Sequence, residues 1–408
     1  MIIEGIFTTH EKTFKSQVKI DTDTGLITEV GENIGNADYI FDENHRIFPG
    51  FIDIHVHSRE DTSKKQNYKE DFLTVSQAAI MGGVSGIMDM PNNPIPPVDD
   101  DSYKAKKELT KKAIVDVLLY AGIGPKTNPL SFKVPYKAYM GPSIGDLFFD
   151  KDEKINAVIP KYKNNFISFH CESADLLKEH EKEETHEKKR PEICEVNAIK
   201  HAITICKENN IRMNVAHLST KAGLQEVLKA KEFMDVTSEV CHHHLFFDEV
   251  NKQKTEKPGF LQMNPPLRLE EDRKFLLEQL KIGNVDYLTT DHAPHTLEEN
   301  EKGISGLPLL DTYGLFVTWL LKQGVSEQII TKVCSYNPGK IFGEFRNEQY
   351  GEINEGFVGS LTILNLKKSH TVKREDIKSK AGWSPFEGTT FPGSVIMTIV
   401  RGKHYEIS

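Results

Sequence analysis

The sequence has no run of about 18 consecutive apolar residues, so a helical membrane span is not expected. It has no surplus of positive charge either. Its 51 Lys and Arg against 60 Asp and Glu give a formal net charge of -9, which leaves no basic face of the kind a general nucleic-acid binder needs. Paired cysteine spacing is also missing: Cys171, Cys194, Cys206, Cys241 and Cys334 are an odd five. That number in a large chain suits reduced thiols in the cytoplasm better than a disulfide framework. The opening stretch Met1-Ile-Ile-Glu-Gly-Ile-Phe is short and has no basic leader, so no signal peptide is expected. No internal repeat stands out. The one biased stretch, residues 178–192, is dense in Glu and Lys and reads as a solvated helix or excursion. These absences point to a soluble, cytoplasmic protein without a nucleic-acid or membrane partner.

What is present is length and alternation. The 408 residues leave room for a (β/α)8 barrel, which takes roughly 250 residues, plus a smaller unit. Residues 1–48 alternate apolar and polar groups in short runs such as Gln17-Val-Lys-Ile, broken by Gly and Asp-rich turns. The tail repeats this pattern in Gly359-Ser-Leu-Thr-Ile-Leu-Asn-Leu and Val395-Ile-Met-Thr-Ile-Val-Arg-Gly-Lys. Two strand-rich ends predict one small β-sandwich domain assembled from residues 1–48 and 345–408. Between them, residues 49–344 predict the barrel. Apolar runs at 51–57, 84–90, 115–122, 135–140, 166–171, 212–217, 236–241 and 285–291 alternate with amphipathic segments, clearest at 72–81, 154–162, 193–207, 221–231 and 273–280.

The chemistry-bearing residues sit at the ends of those runs. His55 and His57 close the first. Side chains two apart on a strand share a face, so both imidazoles can reach one metal ion at the barrel mouth. His170 closes Phe166-Ile-Ser-Phe-His, His217 follows Val215-Ala, and Asp291 follows Tyr287-Leu-Thr-Thr and leads to His295. Any one of these histidines alone suits a structural role. Together they occupy the carboxyl ends of different strands, where barrel active sites are built, and they point to a metal centre. Lys137 on the fourth run is cationic and would repel metals. As a carbamate formed with CO2 it becomes an anion able to bridge two of them. Asp146 is the alternative bridge and needs no modification.

The chain resembles the amidohydrolase superfamily, and within it the dihydroorotase group. The resemblance rests on Pro49-Gly-Phe-Ile-Asp-Ile-His-Val-His-Ser-Arg, Met90-Pro-Asn-Asn, Ala216-His-Leu-Ser-Thr, Asn264-Pro-Pro-Leu-Arg, Thr290-Asp-His-Ala-Pro-His and the tail around Gly351–Leu361 and Gly402-Lys. It implies a (β/α)8 barrel of the metallo-dependent hydrolase type and two divalent metals, zinc above all. His55, His57, carboxylated Lys137 and Asp291 would hold one metal; Lys137, His170 and His217 would hold the other. It also implies Arg59, Asn92 and His295 as anchors for a substrate carboxylate, Asn264 as a contact to the ring amide, and a homodimer. Asp291 would serve as the catalytic proton carrier in reversible hydrolysis of a cyclic amide, the pyrimidine-synthesis reaction. Allantoinase or hydantoinase activity is the alternative within the same chemistry, and an inactive scaffold the alternative outside it.

The chain departs from the family pattern at three places. Asn93 stands where threonine is commoner, and His242 stands where proline is usual, ahead of His243 and His244. No glycine follows Pro308 in Gly306-Leu-Pro-Leu-Leu-Asp. The three consecutive histidines are expected to pack or to support the site from behind rather than to bind metal.

Overall fold

The computed structural model describes residues 1–142, 147–255 and 257–407; Asp146, the alternative bridge, lies outside them. Eight parallel strand positions form a closed ring. They are Phe51–Val56, Val84–Asp89, a third strand interrupted at Tyr120 into Asp116–Leu119 and Ala121–Ile123, then Tyr136–Tyr139, Phe166–His170, Arg212–Val215, Val236–Cys241 and Tyr287–Thr289. Neighbours pair in chain order, as in Lys137 beside Ser168 and Val240 beside Leu288. The ring closes where the amide of His57 donates to the carbonyl of His292 at 2.8 Å. Most of these strand residues are buried, as parallel strands covered on both faces require.

The helices between strands follow the sequence pattern closely: Phe72–Met81, Glu192–Glu208, Lys221–Ala230 and Glu270–Lys281 all lie on predicted segments. The first is set by Asp71, whose carboxylate accepts from the amides of Leu73 and Thr74 at 2.8 and 3.1 Å and so satisfies donors that a helix start leaves free. It ends at Gly82, where a Cβ would sit 2.0 Å from the carbonyl oxygen of Leu310. The segment predicted as one helix over 154–162 is a helix over Asp152–Val158 followed by a tighter turn over Ile159–Tyr162, where Pro160 cannot continue the α-helical ladder.

Strands from both chain ends share one sheet of eight strands, with Leu361–Asn365 pairing antiparallel to His45–Pro49. Its apolar face buries Ile3, Phe7, Val18, Ile20, Ile47, Ile363 and Met397 in a cluster of its own. Between its strands the tail makes an excursion onto the barrel: Trp383, Phe386 and Phe391 belong to the barrel's apolar cluster. The amide of Lys378 donates to Asp311, and the Ser379 hydroxyl donates to Glu70. No described helix is long and apolar enough to cross a membrane.

Candidate active site

Every strand-end residue singled out above lies at the carboxyl end of the ring. A small cavity there is lined by His55, His57, Arg59, Asn92, Tyr139, His170, His217, Asn264 and Asp291, with Met263 and Gly306 at its rim. Three of these residues leave their strands in the left-handed backbone region: Arg59 (φ 60°), His217 (φ 37°) and Asp291 (φ 49°). For non-glycine residues this costs about 1–3 kcal/mol each, a strain that persists where surrounding structure imposes it. The turn is what aims a side chain just past the strand end back over the mouth of the barrel.

The hydrogen bonds fix which ring nitrogens face inward. His55 Nδ1 lies 2.7 Å from Glu239 Oε2, and His57 Nδ1 lies 2.8 Å from Asn92 Oδ1. A carboxylate and an amide oxygen only accept, so both Nδ1 atoms carry the proton and both Nε2 atoms present lone pairs. Those Nε2 atoms stand 3.3 and 3.1 Å from the same oxygen, Asp291 Oδ1. Three acceptors thus converge with no hydrogen between them, a buried arrangement that a cation satisfies. His170 repeats the pattern: its Nε2 lies 2.9 Å from Glu172 Oε2, turning Nδ1 toward His217 Nε2 at 2.9 Å.

Burial sets the charge states. It drives His57 and His217 well below the ordinary imidazole range, with Arg59 pressing further on His57 and His170 on His217. These rings are neutral at physiological pH, the state in which histidine ligates metals. Burial raises the Asp291 carboxyl, against the pull of His55 and Lys137. The Lys137 amine is lowered by burial to about 8, although Glu239 and Asp291 act to raise it. Its Nζ is fully buried without a hydrogen-bond partner. Its charge acts on His55, His57, His170, His217 and Asp291 alike. A lone buried ammonium among metal-type donors is costly; an amine of lowered basicity is a nucleophile.

The expected substrate residues divide. Arg59 is buried against the cavity, with Nη2 at 3.1 Å from His295 Nε2 and Nε donating to the carbonyl of Pro294 at 3.3 Å. Among the described residues no carboxylate lies within ion-pairing distance of it. Asn264 Oδ1 is buried at the cavity without a partner. Asn92 lines the cavity, but its carbonyl oxygen is already committed to His57. His295 does not line the cavity at all. It stands behind Arg59, its Nδ1 facing Glu299 at 3.1 Å and Lys69 at 3.2 Å, and its backbone carbonyl accepts from Trp383 Nε1 at 2.9 Å.

Several functional neighbours escape sequence reasoning. Glu239 holds His55, accepts from Asn214 Nδ2 at 2.5 Å and lies 3.3 Å from the His217 amide. Burial acts to raise its carboxyl, but His55 and Lys137 outweigh it and hold it ionised. Glu172 lies under His170 and pairs with Arg190 at 3.1 Å. The Glu/Lys-dense excursion is therefore pinned to the site at Arg190 and at His186, whose Nε2 lies 2.9 Å from the carbonyl of Met263. The alternation of the strand put Glu239 on one face with Cys241, a signal too weak to separate it from any buried carboxylate. Of the three consecutive histidines, none lines the cavity.

The comparisons with known proteins identify the family. The amidohydrolase family pattern matches residues 46–404. The chain is 33% identical to the dihydroorotase of Pyrococcus horikoshii over 99% of its own length and 91% of that protein. It is 36% identical to the dihydroorotase of Pyrococcus abyssi over 88% and 82% of the two chains. The solved L-hydantoinase (dihydropyrimidinase) of Arthrobacter aurescens superposes with a TM-score of 0.89 over 100% of this chain and 97% of that one, at 23% identity, a likeness of fold. Divalent-metal dependence is general in this family, and His55, His57 and Asp291 offer donor atoms all within 4.8 Å of one another. The chain is a member of the amidohydrolase family.

Proposed function

We propose that this protein is a dihydroorotase, interconverting dihydroorotate and N-carbamoyl-L-aspartate in pyrimidine synthesis. The observation that carries the substrate assignment is Arg59, a buried guanidinium facing the cavity without a carboxylate partner among the described residues. Burying such a charge is costly unless an anion arrives to pair with it, and a planar fork suits a substrate carboxylate. Hydantoin and allantoin carry no such group. The dihydroorotases among the relatives support the same reading.

His55, His57 and Asp291 would hold one zinc ion, and His170 with His217 a second, with Lys137 as a carbamate joining them. When bound, such ions supply Lewis acidity toward a carbonyl and lower the pKa of water. Lys137 suits its part because its amine is free, buried and of lowered basicity. CO2 adds to the neutral amine, forming a nitrogen–carbon bond and releasing one proton; counted from the ammonium, two protons leave and a cation gives way to an anion. Asp291 takes a proton from the attacking water and returns it to the departing amide nitrogen, base then acid. Arg59 fixes the substrate carboxylate while Asn264, whose free carbonyl oxygen faces the cavity, accepts from a ring N–H.

The deciding experiment is turnover of dihydroorotate by zinc-replete protein beside allantoin and hydantoin, with Arg59→Ala as control. The expected result is selective turnover of dihydroorotate, with kcat/KM falling about 10- to 100-fold in the variant, the worth of a charged hydrogen-bonded pair. Turnover of a neutral ring in preference to dihydroorotate would overturn the substrate assignment and leave the metal centre standing.

A further inference from the structure

A second set of metal-type donors lies outside the cavity. Cys241 ends the strand Val236–Cys241, and His243 and His244 follow in the short helix His242–Phe246. One donor atom from each of the three lies within 4.8 Å of the others, and all three residues are buried. Neither ring nitrogen of His243 has a hydrogen-bond partner, nor does Nδ1 of His244, whose Nε2 lies 3.1 Å from the carbonyl oxygen of Pro265.

His242 provides an internal contrast. It too lacks hydrogen-bond partners, but its ring stacks on Phe316 at 4.3 Å and meets Tyr313 edge-on at 4.9 Å. Aromatic packing accounts for it. His243 has no such partner among the described residues; its one ring neighbour is His244, at 4.2 Å. A buried imidazole with no hydrogen bond forfeits about 1–3 kcal/mol; His243 is such a ring, and the free Nδ1 of His244 and a thiol stand beside it.

We propose that Cys241, His243 and His244 form a further divalent-metal site, structural in role and distinct from the His/Asp centre. The donor set of one sulfur and two imidazoles suits zinc and excludes the hard cations calcium and magnesium, which take oxygen ligands. Donors bound to a tetrahedral ion at roughly 2.0–2.3 Å stand about 3.3–3.8 Å apart, a contraction that side-chain torsions supply. Burial holds both imidazoles far below their ordinary range, His244 at about 3, so both are neutral and have a lone pair to give. Burial pushes the Cys241 thiol up; binding therefore forms a metal–sulfur bond and expels the thiol proton to solvent. The fourth position would lie near the Thr289 hydroxyl, 3.3 Å from Cys241 Sγ. Such an ion would tie the seventh strand to the eighth just behind Glu239, the residue that orients His55.

The test uses full-length protein produced in minimal medium with Co2+ as the added transition metal. No residue assigned to the His/Asp centre carries sulfur, so thiolate-to-cobalt charge-transfer absorption in the near ultraviolet reports this site. The expected result is that band in the wild type, its loss in Cys241→Ser, and one fewer cobalt per chain in the variant. Should the variant fail to fold, cobalt X-ray absorption of the wild type decides, through a sulfur scatterer at about 2.3 Å. A wild type with neither band nor sulfur scatterer would overturn the proposal. So would a band that persists in the variant, which would move the ligand to another thiol such as Cys171.

Discussion

Glu239 Oε2 sits 2.7 Å from His55 Nδ1, and both side chains are almost entirely excluded from solvent. Two residues 184 positions apart in sequence thereby decide a tautomer: the proton rests on Nδ1, and Nε2 faces Asp291 as a bare lone pair. Outer partners of this kind typically change metal affinity by about 10- to 100-fold. Glu239→Gln can present its NH2 to His55 and so turn the wrong nitrogen inward. The expected outcome is a folded protein whose affinity for zinc, measured by competition with a chromogenic chelator, drops by about that factor. Unchanged affinity would remove Glu239 from the support of the metal centre.

Asp291→Asn keeps the shape at the end of the last strand and removes the carboxylate. Positioned acid–base groups contribute about 100- to 10,000-fold, and the variant should lose turnover in that range. Its circular dichroism and thermal midpoint should stay near the wild type. A fully active variant would refute the role of Asp291.

Trp383 links the tail to the site. Its indole N–H donates to the His295 carbonyl at 2.9 Å, and its ring meets Phe260 edge-on at 5.5 Å. Trp383→Phe should cost about 0.5–1.5 kcal/mol for the hydrogen bond, and Trp383→Ala about 3–5 kcal/mol for the cavity. Because His295 backs Arg59, the alanine variant should also raise KM for dihydroorotate more than it lowers kcat. Stability loss with kinetics untouched would make the tail contact purely structural.

Arg401 ties the small sheet to the barrel. Its guanidinium meets Glu348 twice, at 2.9 and 2.6 Å, and its Nε reaches Asp116 Oδ2 at 2.9 Å. Burial on its own would raise the Glu348 carboxyl, but Arg401 outweighs it and brings it down to about 2. An unfolded glutamate titrates near 4.3, so the folded state binds fewer protons in between. The pair's contribution is complete above about pH 4.3 and fades as pH falls toward 2. Glu348→Gln should flatten the acid side of the stability curve, read as urea midpoints between pH 5 and pH 2.5. Parallel curves for the two proteins would exclude the ion pair as a source of acid sensitivity.

The barrel was legible because its signals are local. Apolar runs such as Phe166–His170 and helix starts such as Asp71 depend on neighbours a few residues away, and periodicity records them directly. The gathering of His55, His57, His170, His217 and Asp291 was legible for the same reason: each sits at or just past the end of an apolar run, and barrels gather those ends at one mouth. By resemblance of sequence, Asn92 and His295 are expected to anchor the substrate. The structure gives the oxygen of Asn92 to His57 and sets His295 behind Arg59, because both depend on contacts across loops that sequence spacing does not encode.

The sequence by itself determined the order of strands and helices, the ring they must close and the set of donors at its mouth, since residue type and alternation specify these. Only the tertiary structure decided which nitrogen of His55, His57 and His170 faces inward and that Glu239, Asn92 and Glu172 set that choice. It likewise decided that the Lys137 amine is buried without a hydrogen-bond partner and that, among the described residues, Arg59 has no carboxylate within ion-pairing distance. Those are properties of hydrogen bonds and burial between residues far apart in the chain, and they come into being only when the ring closes and water leaves.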